Sequence, residues 1–168
     1  MSSQHSSLCY AFWQAQDIKA CAELAKRTSA DAGWSLSDYQ SSFDQGDLGL
    51  VARQISSQDS VGCFVGCLVG RIVIDTAELF DLQVLPELQR QGVGSDLLRG
   101  LKARCNQQQV TSIVLEVRRS NARAFKFYQR HGFKTLSKRV GYYAATEYRP
   151  REDGIIMVLK KGRLDEPF

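Results

Sequence analysis

Residues 78–108 constrain this chain most. A run rich in apolar residues (ELFDLQVL, 78–85) stops at Pro86, which has no N–H to give a ladder. After Gln89-Arg90-Gln91-Gly92-Val93-Gly94 a helical repeat begins, with Leu97, Leu98, Leu101 and Cys105 at spacings of one, three and four. A strand that turns through glycines into a helix presents the helix's first N–H groups and the positive end of its dipole to whatever occupies the turn. Phosphate oxygens suit such a cradle. Two well-known glycine loops are excluded: no Lys follows as GxxxxGK[ST] demands, and Leu97 stands where GxGxxG needs its last glycine. Taken alone, QGVG reads either as a turn with a helix cap or as an anion cradle.

Elsewhere the patterning predicts strands at 8–13, 48–55, 61–74, 111–118, 133–140 and 154–159, and helices at 17–27 and 120–130. Ser120 is the expected N-cap of the last helix and Gly132 its C-cap. On 111–118, Ile113, Leu115 and Val117 face one way and Val114, Glu116 and Arg118 the other. Segment 28–47 is polar with Trp34, Tyr39 and Phe43 interspersed, and reads as a loop with a short helix. No repeat, low-complexity tract or linker interrupts the chain, so one α+β domain over 1–168 is the simplest reading. At 168 residues it can bury a core without disulfide or metal staples.

The charge balance, 22 Lys+Arg against 18 Asp+Glu, is too mild to argue for nucleic acid and is compatible with an anionic ligand. The longest uncharged apolar stretch, VGCFVGCLVG at 61–70, is far short of the roughly eighteen residues of a membrane span. No basic residue precedes an apolar core at the N-terminus and no lipidation box closes the chain, so a cytoplasmic protein is expected. The five cysteines include no CxxC, and His5 and His131 are the only histidines, which predicts no metal site. On one strand, Cys63 and Cys67 would lie roughly 13 Å apart, too far for a disulfide. Both are expected to be buried thiols of a reducing compartment.

Three blocks together, AELFDLQVLPELQRQGVG, then LEVRRSN with AFKFYQRHGF, then GYY followed by REDGIIMVL, resemble the GNAT superfamily of acyl-coenzyme A N-acyltransferases. Within it they are most similar to the RimI type, the ribosomal-protein-alanine N-acetyltransferases, and the match covers roughly residues 48–159. The resemblance implies an α+β GNAT fold: a central, mostly antiparallel mixed sheet of about seven strands, splayed at its middle and flanked by about four helices. It also implies direct acetyl transfer from acetyl-CoA to the N-terminal amine of a ribosomal protein, alanine above all, with no metal, no direct nucleic acid binding and no membrane.

Glu116 sits in an otherwise apolar strand, which costs desolvation unless the carboxylate is solvated, paired or used; Arg118 is a candidate neighbour. The resemblance makes Glu116, in Leu115-Glu116-Val117-Arg118, the general base that takes the proton from the substrate ammonium, directly or through water. Asn121, Phe125 and Tyr128 share one helix face. By resemblance, Asn121 binds the pantetheine arm and Tyr128 is the acid for the departing thiolate. The backbone of Leu82-Gln83-Val84 is expected to hold the cofactor arm, with Val84 contacting the thioester oxygen. Arg90, Gln91, Gly92, Val93, Gly94 and Ser95 are the expected phosphate site, with Arg123 and Lys126 near the nucleotide end.

For the acceptor, an α-amine near pKa 7.8 is easier to deprotonate than a lysine near 10.4, by about 2.6 units or roughly 3.5 kcal/mol. The resemblance places Tyr142 and Tyr143 in the loop before the last strand, where they hold the substrate's first backbone amides opposite the segment of Trp34. Glu147, Glu152 and Asp153 are candidate attractors of a basic second residue, opposed by Arg149 and Arg151. Gly141 departs from the polar residue usual before the tyrosine pair, and AATEYRP is slightly longer than the family's stretch. Two alternatives remain open: a GNAT enzyme acting on lysine or a small amine, and a noncatalytic CoA-binding or ribosome-associated module.

Overall fold

The structure is a computed structural model that describes residues 7–28, 33–56, 59–147, 149–160 and 162. Seven strands run as β1 (Ser7–Phe12), β2 (Leu48–Ser56), β3 (Asp59–Val73), β4 (Thr76–Val84), β5 (Ser112–Arg118), β6 (Lys134–Tyr143) and β7 (Glu152–Lys160). The helices are α1 (Ile18–Thr28), α2 (Leu36–Asp44), α3 (Val93–Gln107) and α4 (Ala122–Arg130). Their sheet has the order β1-β2-β3-β4-β5-β7-β6. Pairing is antiparallel for β1 with β2, β2 with β3, β5 with β7 and β6 with β7. It is parallel for β4 with β5, over Thr76–Leu79 against Ser112–Leu115 only. This is the mixed, mostly antiparallel sheet with four helices expected of the resemblance, and the short parallel ladder is its splay.

The described residues fall into two compact units, one within Met1–Arg71 and Asp81–Leu101, the other within Ile72–Phe80 and Lys102–Phe168. In the first, α1 buries Ile18, Cys21, Ala22, Leu24 and Ala25, α3 buries Val93, Leu97, Leu98 and Leu101, with Val93 and Leu97 beside Gly66 of β3, and Val51, Val65, Leu68 and Val69 of β2 and β3 are buried as well. The apolar spacing of each helix supplies that buried face. A capping box opens α2: the Ser35 hydroxyl accepts from the Asp38 N–H at 3.3 Å and the Asp38 carboxylate from the Ser35 N–H at 2.7 Å. The Ser35 hydroxyl, which also donates to that carboxylate at 2.6 Å, and after it the Ser35 N–H hold the Asp38 carboxyl below its ordinary range.

Past α2 the chain returns to the sheet through buried Asp47, whose carboxylate accepts from Ser42 Oγ at 2.5 Å and from Arg71 Nε and Nη2 at 2.6 and 2.9 Å. Trp13 Nε1 donates to the Asp47 carbonyl at 3.2 Å, and the Trp13 ring meets Phe43 edge-on at 5.3 Å. Phe43 and fully buried Tyr39 are thus packing residues of this unit.

The expectation that Cys63 is buried fails. Ala52 pairs with Gly66 while Arg53 pairs with Phe64, so β3 spends one extra residue there. A bulge of this kind reverses the alternation of faces, and Cys63 emerges exposed while Cys67 stays buried.

In the second unit the alternation read from 111–118 holds: Ile113, Leu115 and Val117 are buried and Val114, Glu116 and Arg118 less so. Met157, Leu159, Phe133 and Val110 complete that core. Replacing Asp47 by Ala takes the acceptor from the Ser42 hydroxyl and the carboxylate from Arg71, which keeps its bond to Gln45, and should cost about 1–3 kcal/mol. Urea unfolding should show this as a lower midpoint at unchanged slope.

Candidate active site

In the first unit, β4 runs out into the glycine turn. The Leu85 N–H donates to the Val65 carbonyl on β3 at 2.9 Å, so strand alternation turns the N–H and C=O of Val84 to the other edge. There Gln89 Nε2 donates to the Val84 carbonyl at 2.8 Å. The neighbouring groups are more committed. Asp81 accepts from the Leu82 N–H, from Gln83 Nε2 at 2.7 Å and from the Tyr39 hydroxyl. Gln83 Oε1 accepts from Thr28 Oγ1 at 2.5 Å. Burial raises the Asp81 carboxyl, and these donors oppose the rise. Of Leu82, Gln83 and Val84, the Leu82 amide therefore already serves Asp81. Sequence reasoning missed this cluster, which joins groups 42 and 55 residues apart.

The turn itself is built on left-handed backbone. Arg90 has φ +64 and Gly92 φ +92, an unfavourable conformation for the arginine. Arg90, Gln91 and Gly92 are exposed, while Val93 is buried against the sheet and anchors the first turn of α3. The Asp96 N–H is the first to bond back, to the Gly92 carbonyl at 2.9 Å. The N–H groups of Val93 and Gly94 precede it in the first turn of α3, where a helix's own carbonyls do not reach. Two acids near the turn are engaged: Glu87 by Arg27 at 3.2 Å, and Asp96 by Tyr10 at 2.7 Å and Arg99 at 2.6 Å. Amides, helix dipole and an exposed guanidinium make a donor set that fits phosphate.

Trp34 lies in the same unit, half-buried and edge-on to Tyr39 at 5.2 Å.

In the second unit, α4 is capped by Asn121 and not by Ser120: Asn121 Oδ1 accepts from the Ala124 N–H at 3.0 Å. Ser120 instead gives its N–H to Glu152 Oε2 at 3.1 Å. With Oδ1 committed, Asn121 has its Nδ2 group to offer a ligand. Tyr128 is buried on α4, edge-on to Phe127 at 5.2 Å and to Phe133 at 5.5 Å.

Glu116 is paired. Its side chain crosses β7 at Gly154, where a Cβ would stand 2.8 Å from the Glu116 carboxyl carbon. Beyond that gap Arg139 Nη1 reaches Glu116 Oε2 at 2.9 Å. The Tyr143 hydroxyl also donates to Glu116, and burial first, then this bond, pushes the Tyr143 phenol above its ordinary value. Desolvation, the largest single effect, works against the Arg139 charge, yet Glu116 and Tyr142 together outweigh it and raise the guanidinium. Arg118, the neighbour considered from sequence, goes to Glu152 at 2.8 Å and stacks on the Tyr143 ring at 3.9 Å. Arg139 stacks on the Tyr142 ring at 3.6 Å.

The tyrosine pair lies in β6, not in the loop after it. Arg139 pairs with Gly154 and Tyr143 with Glu152, so four residues of β6 run against two of β7. The slack is taken up at Gly141, which has φ +59. Its N–H donates to Asp153 Oδ1 at 2.8 Å and its carbonyl accepts from Arg151 at 3.1 Å. A left-handed position that glycine adopts without cost thus explains why the usual polar residue is absent here.

Asp153 is also held by Lys138 at 2.7 Å and Arg119 at 3.5 Å. With Glu152 on Arg118 and Asp153 on Lys138, neither carboxylate has charge left over for a basic residue of a substrate; Glu147 alone of the three is exposed. Lys138 first and the Gly141 amide second lower the Asp153 carboxyl, and Arg118 foremost lowers that of Glu152. A carboxyl lowered on folding stabilises above its unfolded pKa, near 3.9 for Asp, and that contribution is lost as pH falls through the folded value. Urea midpoints measured downward from pH 5 should therefore fall less steeply for Asp153→Asn than for wild type. Parallel acid limbs would contradict the pairing.

Among the described residues no helix is long and apolar enough to cross a membrane, and no group of three or more His, Cys, Asp and Glu is arranged to hold a metal.

Comparison with known proteins adds three findings. The profile of the acetyltransferase (GNAT) family matches residues 15–133. The [ribosomal protein bS18]-alanine N-acetyltransferase of Escherichia coli K12 is 34% identical over 143 residues, 85% of this chain and 90% of that protein. The crystal structure of the ribosomal-protein-S18-alanine N-acetyltransferase from Escherichia coli superimposes with a TM-score of 0.80 at 31% identity, covering 92% of this chain and 94% of that one. Arabidopsis thaliana NAA60 in complex with a bisubstrate analogue shares the fold, with a TM-score of 0.80 at 16% identity, over 92% of this chain and 98% of that one.

Proposed function

The chain belongs to the acetyltransferase (GNAT) family, and on that premise we propose that it acetylates the N-terminal α-amine of a ribosomal protein, with alanine as first residue. The extent of its likeness to the bS18-alanine N-acetyltransferase of Escherichia coli carries this reading. Residues 1–168 act as one catalytic domain in it, and a cytoplasmic location goes with it.

Acetyl-CoA, when bound, supplies an acetyl group activated as a thioester. Arg90 and the amides of Gln91, Gly92, Val93, Gly94 and Ser95 hold its phosphates, and the main chain of Leu82, Gln83 and Val84 holds its arm. The Val84 N–H, turned off the β4 edge, donates to the oxygen on which charge develops, which is stabilisation by a donor already in place. Asn121 Nδ2 adds a donor for the arm. Glu116 accepts the proton that the amine nitrogen sheds, and Tyr128 gives its phenol proton to the departing sulfur. Tyr142, Tyr143 and Trp34 hold the first residues of the peptide. Donor and acceptor are bound together and transfer is direct, so the orientation of two substrates does the work that a covalent intermediate would otherwise do.

Peptides beginning with Ala, Ser or Met, each with a free or blocked α-amine, test the substrate class. Acetylation should require the free α-amine and favour Ala; acetylation that survives blocking would assign the enzyme to lysine or small amines. Glu116→Gln and Tyr128→Phe should each lower kcat by about 100-fold or more while leaving acetyl-CoA affinity unchanged. Wild-type rates in both variants would overturn these roles, and the absence of turnover on any amine would favour a noncatalytic module.

A further inference from the structure

We propose that Arg139 makes the acceptor site choose its amine by charge: because Glu116 is already neutralised, the site takes the uncharged amine and turns the ammonium away. The inference rests on Glu116 being the base.

Cations outnumber carboxylates around Glu116. From β6, Arg139 bonds its Oε2 at 2.9 Å and Tyr143 donates to the same carboxylate, while the Tyr142 ring holds the Arg139 guanidinium from its other face. On β5 itself Arg118 is spent on Glu152 of β7, and Asp153 of β7 is shared by Lys138 of β6 and Arg119. Arg151 sits on the Gly141 carbonyl. From β5 and the turn after it, β6, and β7 with the residue before it, five cations thus stand against three carboxylates, and Glu78 of β4, which pairs with Val114, adds one exposed acid to this face without overturning the surplus. An ammonium entering this cluster must either expel Arg139 from its counter-charge or join a surplus of like charge, and a guanidinium cannot escape by losing its proton.

An uncharged amine meets no such barrier. Its lone pair forms the C–N bond as the C–S bond breaks. The proton made acidic on nitrogen passes to Glu116, and the thiolate takes the Tyr128 proton. Selection by charge state is also selection by amine class. With α-amines near pKa 7.8 and lysine near 10.4, the neutral fraction at pH 7 favours the N-terminus by about 340-fold before any side chain of the peptide is read. Arg139 is therefore a specificity-determining residue that acts through Glu116.

Calorimetry on the full chain saturated with CoA tests this without turnover. An Ala-starting peptide is titrated at pH 7 in two buffers of different ionisation enthalpy, which counts the protons released on binding. Wild type and Arg139→Lys should release about 0.9 proton per peptide, because an α-amine near pKa 7.8 is mostly charged at pH 7 and must lose its proton to bind. Arg139→Gln should release close to none. In steady state, kcat/KM of wild type should fall about ten-fold per pH unit below the amine's pKa. In Arg139→Gln that slope should flatten, and lysine-containing peptides with blocked α-amines should gain relative to free N-termini. Binding to wild type without proton release, or the same release from Arg139→Gln, would overturn the proposal. Wild-type turnover in Glu116→Gln would instead remove the base assignment beneath it.

Discussion

A carboxylate in the middle of a strand has to find a counter-charge, and in this protein the missing side chain at residue 154 decides where. With any Cβ on β7 at that point Glu116 would be turned back toward solvent or toward Arg118. Gly154 instead lets it span to the second strand over, where Arg139 waits on its stack with Tyr142. The remaining ionic contacts of the unit follow from that choice: Arg118 is released to Glu152, Glu152 takes the Ser120 amide ahead of α4, and Asn121 is left to cap the helix. The placement of the proposed base, the start of the helix carrying the proposed acid and the packing of both tyrosines thus share one origin.

The cradle in the first unit rests on a different balance. Its left-handed arginine is a local cost of the sort that persists only where surroundings over-determine it. Here they do: Gln89 ties the turn to the Val84 carbonyl, Gln91 ties it to the Glu87 carbonyl at 2.9 Å, and Val93 and Leu97 pack at Gly66 behind it. The proposed anion site is therefore organised by bonds that an incoming phosphate need not break.

Much of this was legible in the sequence, and what was not has a common cause. Order and type of the elements, the glycine turn into α3 and the wet face carrying Glu116 all follow from local periodicity and turn chemistry. Cys63, the tyrosine pair and the partner of Glu116 do not. Each depends on register between strands distant in sequence, and each lies at or beside a bulge that local alternation cannot announce. The capping of α4 is a subtler case, since Ser120 and Asn121 are both good caps and the choice was made by Glu152, 32 residues away. The glycine at 141 was visible as a departure, yet its meaning, room for two surplus residues in β6, came only with the pairing.

Those surplus residues have a bearing on how the protein behaves in company. β6 is the last strand of the sheet, and it carries Leu136 and Val140 in the open. A straight, apolar outer strand is a template on which other chains can stack. Two interruptions of its ladder, near Ser137 and again between Arg139 and Tyr143, break the even spacing of its outer amide and carbonyl groups, and Lys134 and Lys138 add charge beside them. The irregularity that brings Tyr143 onto Glu116 also keeps the rim of the sheet from growing.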